Sequence, residues 1–470
     1  MVALDGLRPD MVHAVNTPHL AALTARGTRF ANARSVFPSE TRVATPSLIT
    51  GCRPGGHGMV ANTVFDASVA PDRLLRTKLT ADVMAMAQGR ESPLERPSLA
   101  ERLAPAGKSF ALVSAGTEGA ARLLHPAAER LGGFRWNVED HAGDTAAAMR
   151  ERFGPTPPHA VPNTARVEFA GRMLVEHVLP ELQPDVALLW LSEPDVAFHW
   201  AGLGAEQTLA ALRAADAVLG RIIAWRDAQP DHAKIAIIVL SDHGHVTGRG
   251  KISLREELCR AGFRAGEGLS PEVDVVVAPA AAPGMWLRDK ALAPQIAGFL
   301  ATQAWAGPLL ARDPAILPAG QAFPLAMLGS AHARSADLVA TFAGSEGPDA
   351  WGLPGTAPFD APDVPDGGGM HGGLHRAELA TVLVMQGGPF RADVVAQEPA
   401  DLTDIVPTLL HAMGLAVDGM EGRPLLAAFD GAADAPPLRE ALELHGGFLL
   451  EAMRAGPGTR LYPTALRRAE

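Results

Sequence analysis

Cysteine and aromatic residues are scarce in this chain of 470 residues. The two cysteines, Cys52 and Cys259, are too few for a disulfide framework and lack the spacing of a zinc–thiolate site. Aromatic residues make up 5% of the chain, with a single tyrosine, Tyr462, so an aromatic platform for stacking single-stranded nucleic acid is not expected. The cysteines do not define the redox compartment and have no assigned role.

Excess positive charge and long apolar runs are missing too. A net charge of −11 argues against nucleic-acid affinity that comes from a basic surface. The apolar run Ile235 to Leu240 is far shorter than a membrane span, and Asp5 and Arg8 interrupt the start before a signal core could form. We expect a cytoplasmic protein, or a periplasmic or secreted one if the true start lies upstream. The oligomeric state stays open.

Short apolar segments alternate with helix-forming segments along most of the chain. This alternation predicts an α/β fold in which helices cover both faces of a mostly parallel sheet. The predicted strands are Val2 to Leu4, Ser109 to Ser114, Val186 to Leu191, Lys234 to Leu240 and Thr381 to Met385. The predicted helices are Thr17 to Gly27, Thr208 to Ala228 and Leu402 to Met413.

Composition divides the chain further. Residues 264–365 are rich in alanine and proline, with a strand expected at Val273 to Val277 and a helix at Ala291 to Gln303. We interpret this segment as a cap subdomain inserted between two parts of a catalytic core, residues 1–263 and 366–430. The remaining residues, 431–470, are rich in alanine, arginine and leucine, and we predict a helical extension there.

Acidic and histidine residues follow three of the predicted strands. Asp5 ends the first strand, Glu193 to His199 follows another, and Ser241 to His245 follows a third. Ligand sites of open α/β sheets lie beyond the carboxyl ends of the strands, so these loops are expected to converge. Asp195 and His199 are four residues apart, which places both on one face of a helical turn.

A glycine-rich segment, Gly367 to His375, contributes His371. Each of these segments could also have a purely structural role, as an Asp–Gly turn or as a loop that contains histidines by chance. Together they offer aspartate and histidine ligands without cysteine. That combination favours zinc or manganese in a catalytic site.

Four hydroxyl groups precede or begin a short predicted helix: Ser39, Thr41, Thr45 and Ser47. Near a helix N-terminus, an alkoxide or a phosphoryl group is stabilised by the helix dipole. The alternative is a capping cluster in which Thr45 and Pro46 supply the N-cap and first turn. Residue chemistry alone leaves all four hydroxyls open as nucleophiles.

Taken in order, the motifs resemble the alkaline phosphatase superfamily, in particular its type I phosphodiesterase/nucleotide pyrophosphatase family. The resemblance extends from residue 1 to about Pro424 and includes Asp401 to Thr408. The motifs that carry it are Asp5-Gly6, Thr41 to Gly51, Pro54 to Gly58, Glu193 to His199, Ser241 to Gly244 and Met370 to Gly372.

This resemblance implies specific roles. Thr41 matches the nucleophile, and Asn62 matches an asparagine that hydrogen-bonds a phosphate oxygen. Two Zn²⁺ ions are implied, with Mn²⁺ as an alternative. One ion would be held by Asp195, His199 and His371, and the other by Asp5, Thr41, Asp242 and His243.

The implied activity is hydrolysis of a small-molecule phosphate ester, foremost a phosphodiester, through a phospho-threonine intermediate. Two divalent ions would outweigh the three aspartate charges and leave a positive pocket in an acidic protein. A phosphonoacetate-type phosphonate hydrolase and a phosphomonoesterase are alternatives with the same metal site. A sulfatase and a non-catalytic metal-binding protein are less favoured.

Arg42 departs from the family pattern, since nucleotide pyrophosphatases often carry an aromatic residue at this position. This weakens the case for a nucleotide substrate. Arg42 could pair with a second anionic group of the substrate, or with Glu40 or solvent. For His57, His245 and His375, a structural or surface role is the favoured interpretation; the alternative for His245 and His375 is that they lie near enough to the site to orient the ligands.

Overall fold

Eight strands form the central sheet of the computed structural model, which describes residues 1–140, 143–431 and 435–469. All run parallel except Leu383–Gln386, which is antiparallel to both neighbours. The predicted α/β fold with a mostly parallel sheet is confirmed. In spatial order the strands are Val394–Asp401, Thr28–Arg34, Leu383–Gln386, Ile237–Leu240, Val2–Leu4, Val186–Leu191, Phe110–Ser114 and Phe134–Asn137.

Helices cover both faces of this sheet because the strand side chains alternate between two apolar clusters. On the first strand, Val2 and Leu4 enter one cluster and Ala3 the other. The Ala3 face is covered by the helices Thr41–Thr50 and Ile405–Ala412. The opposite face is covered by the helices Pro18–Arg26, Thr164–Met173 and Glu206–Asp227.

Shorter helices complete the layers. The remaining α-helices are Pro54–His57, Thr80–Met86, Leu99–Leu103, Glu118–Leu124, Ala128–Leu131, Gly143–Phe153, Asp195–Ala201, Leu254–Arg260, Ala293–Ala301 and Arg376–Leu379, and Leu174–Leu182 is a π-helix. The 3₁₀ turns are Pro9–Met11, Ala104–Ala106, His232–Lys234, Lys290–Leu292, Pro314–Ile316, Leu325–Leu328, Leu402–Asp404 and Leu426–Ala428. Among these described helices, none combines the length and apolarity needed to cross a membrane.

The segment interpreted as a cap carries a second sheet, and its apolar cluster also includes Leu254 and Leu258 of the preceding helix. Its six strands, in spatial order, are Ala265–Gly266, Val275–Ala278, Gly284–Leu287, Leu338–Val339, Leu310–Ala311 and Phe323–Pro324. The domain limits at residues 264 and 365 remain a prediction.

A four-stranded sheet lies next to the loops that carry the candidate ligands. Two of its strands are adjacent: Val246–Lys251, which directly follows His245, and Gly369–Met370, which directly precedes His371. The other two strands are Ser345–Pro348 and Pro354–Phe359. The short strands Thr63–Val64 and Leu75–Arg76 form a separate pair.

The prediction of a helical C-terminal extension is wrong. Leu438–Leu444, Phe448–Arg454 and Tyr462–Arg468 form an antiparallel sheet; residues 432–434 and 470 of the predicted segment lie outside the described residues. Gly446 and Gly447 adopt positive φ angles of 79° and 73° in the first turn, as hairpin turns favour. Alternate strand residues, including Phe448, Leu450 and Leu466, are buried against the protein, a period-two pattern that a helix cannot present.

Candidate functional site

Three aspartates converge at the carboxyl end of the central sheet. Their strands, Ile237–Leu240, Val2–Leu4 and Val186–Leu191, are neighbours in the sheet. Asp5 directly follows the middle strand, Asp242 lies in the loop after one neighbour, and Asp195 lies at the start of the helix after the other. The predicted convergence of these loops is confirmed. The Gly6 N–H donates to Asp242 Oδ1 at 3.0 Å and ties two of the loops together.

Asp195 begins the helix Asp195–Ala201, which places His199 on the same face, as the spacing predicts. His199 Nε2 lies 3.3 Å from Asp195 Oδ1. His371 arrives from the loop after Gly369–Met370, and its Nε2 lies 3.5 Å from the same oxygen. The structure therefore brings together all three residues expected to form the first metal group.

The second expected group also assembles. His243 Nε2 lies 3.2 Å from Asp242 Oδ2 and 3.5 Å from Asp5 Oδ1. Thr41 Oγ1 lies 3.2 Å from His243 Nε2, because Thr41 is the first residue of the helix Thr41–Thr50, whose start faces the strand ends. All four side chains are buried.

The histidine rings share one orientation, with Nδ1 directed outward to a backbone carbonyl and Nε2 inward. The Nδ1–carbonyl distances are 2.6 Å for His199 and Gly369, 3.1 Å for His243 and Gly244, 3.1 Å for His245 and Gly6, and 2.8 Å for His371 and Ser39. Carbonyls only accept hydrogen bonds, so each Nδ1 carries the proton. In the neutral ring, Nε2 is then the nitrogen available to a metal.

Burial and crowding raise the pKa values of Asp5 and Asp242, whereas at Asp195 burial is outweighed by the charges and hydrogen bonds of His199 and the other surrounding histidines, which lower the pKa. Burial, reinforced by the charges of Asp242 and Asp195, raises the pKa of Asp5 well above its usual range. Burial also raises the pKa of Asp242 to about 7. Carboxylates packed this closely are unfavourable as bare anions, and a cation between them removes the penalty.

Unpartnered polar atoms show that these residues fit a metal. Asp5 Oδ1, Asp195 Oδ1, Asp242 Oδ2 and His245 Nε2 are buried without a hydrogen-bond partner. Potential donor atoms come together in two groups, one of Asp195, His199, His245 and His371, the other of Asp5, Asp195 and His243. A mixed imidazole and carboxylate set suits zinc and allows manganese.

Among the four candidate hydroxyls, Thr41 contacts a candidate metal ligand through its side chain. Ser39 Oγ instead donates to the Gly373 carbonyl at 2.9 Å, and Ser47 Oγ donates to the Val43 carbonyl at 3.0 Å. Thr45 Oγ1 is buried without a hydrogen-bond partner. The alternative in which Thr45 is the N-cap is wrong, because the helix begins at Thr41 and Pro46 lies inside it.

Asn62 lies beside the start of this helix. Its Oδ1 accepts the Arg42 N–H at 3.0 Å, which assigns the amide orientation and leaves Nδ2 as a donor for a ligand. Its own N–H donates to the Glu40 carboxylate. The N–H groups of Val43 and Ala44 bond to the Glu40 carbonyl, and the positive end of the helix dipole lies at Thr41.

His245 is the residue that sequence reasoning undervalued. Its Nε2 lies 3.1 Å from Asp195 Oδ1, closer than that of His199 or His371. Gly6, at φ 73°, makes room for the ring, since a Cβ there would lie 2.3 Å from His245 Cε1. Arg8 Nη1 holds the His245 carbonyl at 2.9 Å. The sequence feature that could have indicated His245 is its position two residues after His243. Its orientation toward Asp195 depends on the fold.

Replacing His245 with alanine is expected to weaken metal binding at the Asp195 group by about tenfold or more, because the group loses one of its four potential donor atoms. Competition titration with a chromophoric chelator measures this. His177→Ala is the control, since His177 is a buried histidine that contacts Arg152 and Glu181 away from the site. Equal affinities in His245→Ala and the unmodified protein would show that His245 plays no part in metal binding.

His57 has the structural role expected of it. Its Nδ1 accepts the Met59 N–H at 3.1 Å, and its Nε2 lies 2.9 Å from Ser47 Oγ. These contacts link the Pro54–His57 helix to the back of the Thr41 helix. His375 similarly accepts the Ala377 N–H at 3.1 Å and caps a short helix.

Comparison with known proteins identifies one family. The family model for type I phosphodiesterase / nucleotide pyrophosphatase matches residues 1–297. A venom phosphodiesterase of Macrovipera lebetinus is 23% identical over 52% of this chain and 25% of its own length. The human ectonucleotide pyrophosphatase/phosphodiesterase family member 1 is 25% identical over 53% of this chain and 24% of its own length. The matched region thus spans about a quarter of these two relatives.

Solved structures share the fold over most of the chain. Murine ectonucleotide pyrophosphatase/phosphodiesterase 5, an inactive variant in complex with AMP, superposes with a TM-score of 0.62 at 17% identity, covering 90% of this chain and 96% of that one. Phosphonoacetate hydrolase from Sinorhizobium meliloti 1021, in complex with phosphonoacetate, gives 0.63 at 18% identity, covering 88% and 94%.

Proposed function

Because the chain belongs to the type I phosphodiesterase/nucleotide pyrophosphatase family, we propose that it is a metal-dependent phosphoesterase that hydrolyses phosphodiesters with Thr41 as nucleophile. The observation that carries this proposal is the placement of the Thr41 hydroxyl 3.2 Å from His243 Nε2, at a helix start and beside two groups of potential metal donors.

The proposed metal ligands follow from this arrangement. Asp195, His199 and His371 would hold one Zn²⁺, and Asp5, Thr41, Asp242 and His243 would hold the other, with Mn²⁺ as the alternative. When bound, the ions would supply Lewis acidity at the phosphoryl group and favour the ionised form of a nearby hydroxyl.

Thr41 carries the covalent chemistry in this proposal. Its hydroxyl loses its proton to solvent, Oγ1 bonds to phosphorus, and the bond between phosphorus and the leaving oxygen breaks, so that the leaving group departs as an oxyanion or takes up a proton from solvent. A water molecule then attacks the phospho-threonine, the Oγ1–phosphorus bond breaks, and Thr41 regains a proton. The dipole of the Thr41–Thr50 helix favours negative charge at Oγ1 in both steps.

Asn62 would orient the phosphoryl group. Its Oδ1 is engaged by the Arg42 N–H, so its Nδ2 is directed to other acceptors. Because the Asn62 side chain is hydrogen-bonded to the backbone of Arg42, on the same helix as Thr41, its Nδ2 keeps its position relative to Thr41 as the reaction proceeds.

A sulfatase is less favoured than a phosphoesterase. The formylglycine nucleophile of sulfatases derives from cysteine or serine, whereas the side chain against His243 here is Thr41. Cys52 lies beyond the other end of the same helix, is buried, and has its Sγ 3.8 Å from the Gly419 carbonyl oxygen.

A substrate panel tests the proposed function. The purified protein with added zinc is assayed against an aryl phosphodiester, an aryl phosphomonoester, an aryl sulfate and a phosphonate. We expect turnover of the phosphodiester and none of the sulfate. Turnover confined to the sulfate, or no turnover by a folded, zinc-loaded protein, would refute the proposal.

A further inference from the structure

The C-terminal antiparallel sheet has one strand that is paired on one side only. Its strands lie in the order Leu438–Leu444, Phe448–Arg454 and Tyr462–Arg468, so within the described part of the chain Leu438–Leu444 is an edge strand. None of its seven residues is buried. An edge of this kind presents backbone N–H and C=O groups with which a strand of another chain can pair.

The opposite edge of this sheet is closed. Tyr462–Arg468 is largely buried, and the Leu466 N–H donates to the Leu374 carbonyl at 2.8 Å. Any further strand therefore has to add beside Leu438–Leu444. Two sheets joined at that edge form a closed pair, which cannot grow into a longer assembly.

The ends of the edge strand limit how a second copy of it can pair. Pro436 and Pro437 precede it and lack the N–H that a strand ladder needs, and the turn at Gly446 and Gly447 follows it. Two copies related by a two-fold axis run antiparallel, and the period of two along a strand allows only registers that are centred on a residue. All seven residues pair only when that residue is Ala441.

In the register centred on Ala441, the strand is complementary to itself. Arg439 of each copy faces Glu443 of the other, and Leu438 of each copy faces Leu444 of the other. Opposite charges and apolar side chains that lie directly across from each other stabilise paired strands. The pairing therefore supplies two ion pairs and two apolar contacts from a single strand sequence.

The neighbouring registers lack this complementarity. A register centred on Glu440 places the two Glu440 side chains opposite each other, and like charges in this arrangement are destabilising. A register centred on Leu442 brings no opposite charges of the strand together. Within its own chain, Glu440 is already bonded to Arg454 Nε at 2.8 Å.

The side chains that would meet across the axis are accessible in the single chain. Leu438 is 49% exposed, and Arg439, Ala441 and Glu443 are also exposed. Arg439 Nη2 donates to the Asn32 amide oxygen at 3.3 Å, a contact with a neutral group. A carboxylate facing Arg439 would add a charge-assisted bond that this amide does not supply.

We propose that two copies of this protein pair through Leu438–Leu444, as antiparallel strands centred on Ala441, so that one continuous sheet crosses the dimer. One strand from each copy makes a small interface, so we expect a dissociation constant in the micromolar range. The partner selected by this edge is the same strand of a second copy, because that strand carries the complementary charges at the matching positions.

Sedimentation velocity of the full chain, from low to high micromolar concentration, tests this pairing. We expect a monomer–dimer equilibrium without larger species. Arg439→Glu places like charges opposite each other at two positions and should raise the dissociation constant about tenfold or more. Combining Arg439→Glu with Glu443→Arg restores opposite charges in reversed order and should recover most of the affinity. Circular dichroism on each variant shows that the fold persists.

Three results would overturn the proposal. A protein that stays monomeric throughout would favour a strand of a different protein as the occupant of this edge. A dimer that Arg439→Glu leaves unchanged would have its contact elsewhere. A combined variant that associates no better than Arg439→Glu alone would show that Arg439 and Glu443 do not face each other.

Disulfide cross-linking tests the register without changing a charge pair. Ala441 would lie on the two-fold axis, with its Cα about 4.5 to 5.5 Å from its counterpart, a distance that a disulfide spans. In a Cys259→Ser background, which removes the exposed native cysteine, Ala441→Cys should form covalent dimers with oxidised glutathione. Glu443→Cys is the matched control, because this exposed position would lie about 13 Å along the strand from its counterpart. Equal cross-linking of both variants, or none of Ala441→Cys at concentrations where the protein is dimeric, would overturn the proposed register.

Discussion

Replacing Thr41 with alanine should lower turnover of a phosphodiester by about 1,000-fold or more. The loss is expected to be large because Thr41 Oγ1 would form the bond to phosphorus. In the described structure, the hydroxyls of the other three candidates, Ser39, Thr45 and Ser47, form no hydrogen bond to a candidate metal ligand. Single-turnover kinetics measure the effect, with circular dichroism and metal analysis on the same sample to show that fold and metal content persist.

Thr45→Ala is the matched control for this substitution. Thr45 is one turn further along the same helix, and its Oγ1 is buried without a hydrogen-bond partner, so its loss removes a hydroxyl without removing the proposed nucleophile. We expect turnover to stay within about threefold of the unmodified protein. Loss of turnover in Thr45→Ala, with turnover retained in Thr41→Ala, would assign the nucleophile to Thr45.

Removing the metal should have an effect as large as removing the nucleophile. Dialysis against a chelator is expected to lower turnover by about 1,000-fold or more, because the Lewis acid is lost. It should also lower the free energy of unfolding, by about 2.7 kcal/mol per site for an ion present at about 100 times its dissociation constant. Turnover and thermal unfolding are followed during re-addition of zinc.

Asp195→Asn provides a control within the protein. Asp195 Oδ1 lies near three histidine Nε2 atoms, so this substitution should weaken zinc binding at that group and lower turnover before any chelator is added. Full turnover by a chelated protein verified to be free of metal would contradict a metal-dependent mechanism.

The strands that a local pattern could predict are those buried on both faces. Val2–Leu4, Val186–Leu191 and Ile237–Leu240 are continuous apolar runs at the centre of the sheet. Thr28–Arg34 and the edge strand Val394–Asp401 went unpredicted, because polar residues and Pro399 interrupt their apolar pattern. Proline and polar residues are tolerated where a strand has one free edge or partial exposure.

The C-terminal segment shows a different limit of sequence reasoning. Its alanine, leucine and arginine content favours a helix, yet it forms strands because Phe448, Leu450 and Leu466 pack against an existing apolar surface. Arg460 ties the segment to the core through Asp401 at 3.1 Å and Asp404 at 2.6 Å. Tertiary burial therefore overrides helix propensity here.

In the candidate site, the sequence indicated the residues whose spacing is local. Asp195 and His199 share a helical turn, and Asp5 and Asp242 follow buried strands. The choice of Thr41 among four hydroxyls and the orientation of His245 toward Asp195 depend on contacts between segments about 200 and 50 residues apart. No local pattern encodes such contacts, so only the fold reveals them.

The stereochemical course at phosphorus tests the central claim most directly. A phosphodiester made chiral at phosphorus by sulfur substitution is hydrolysed in isotopically labelled water, and the configuration of the product is determined by phosphorus NMR. Each in-line displacement inverts phosphorus. Attack by Thr41 followed by attack of water predicts net retention, and net inversion would contradict the phospho-threonine intermediate.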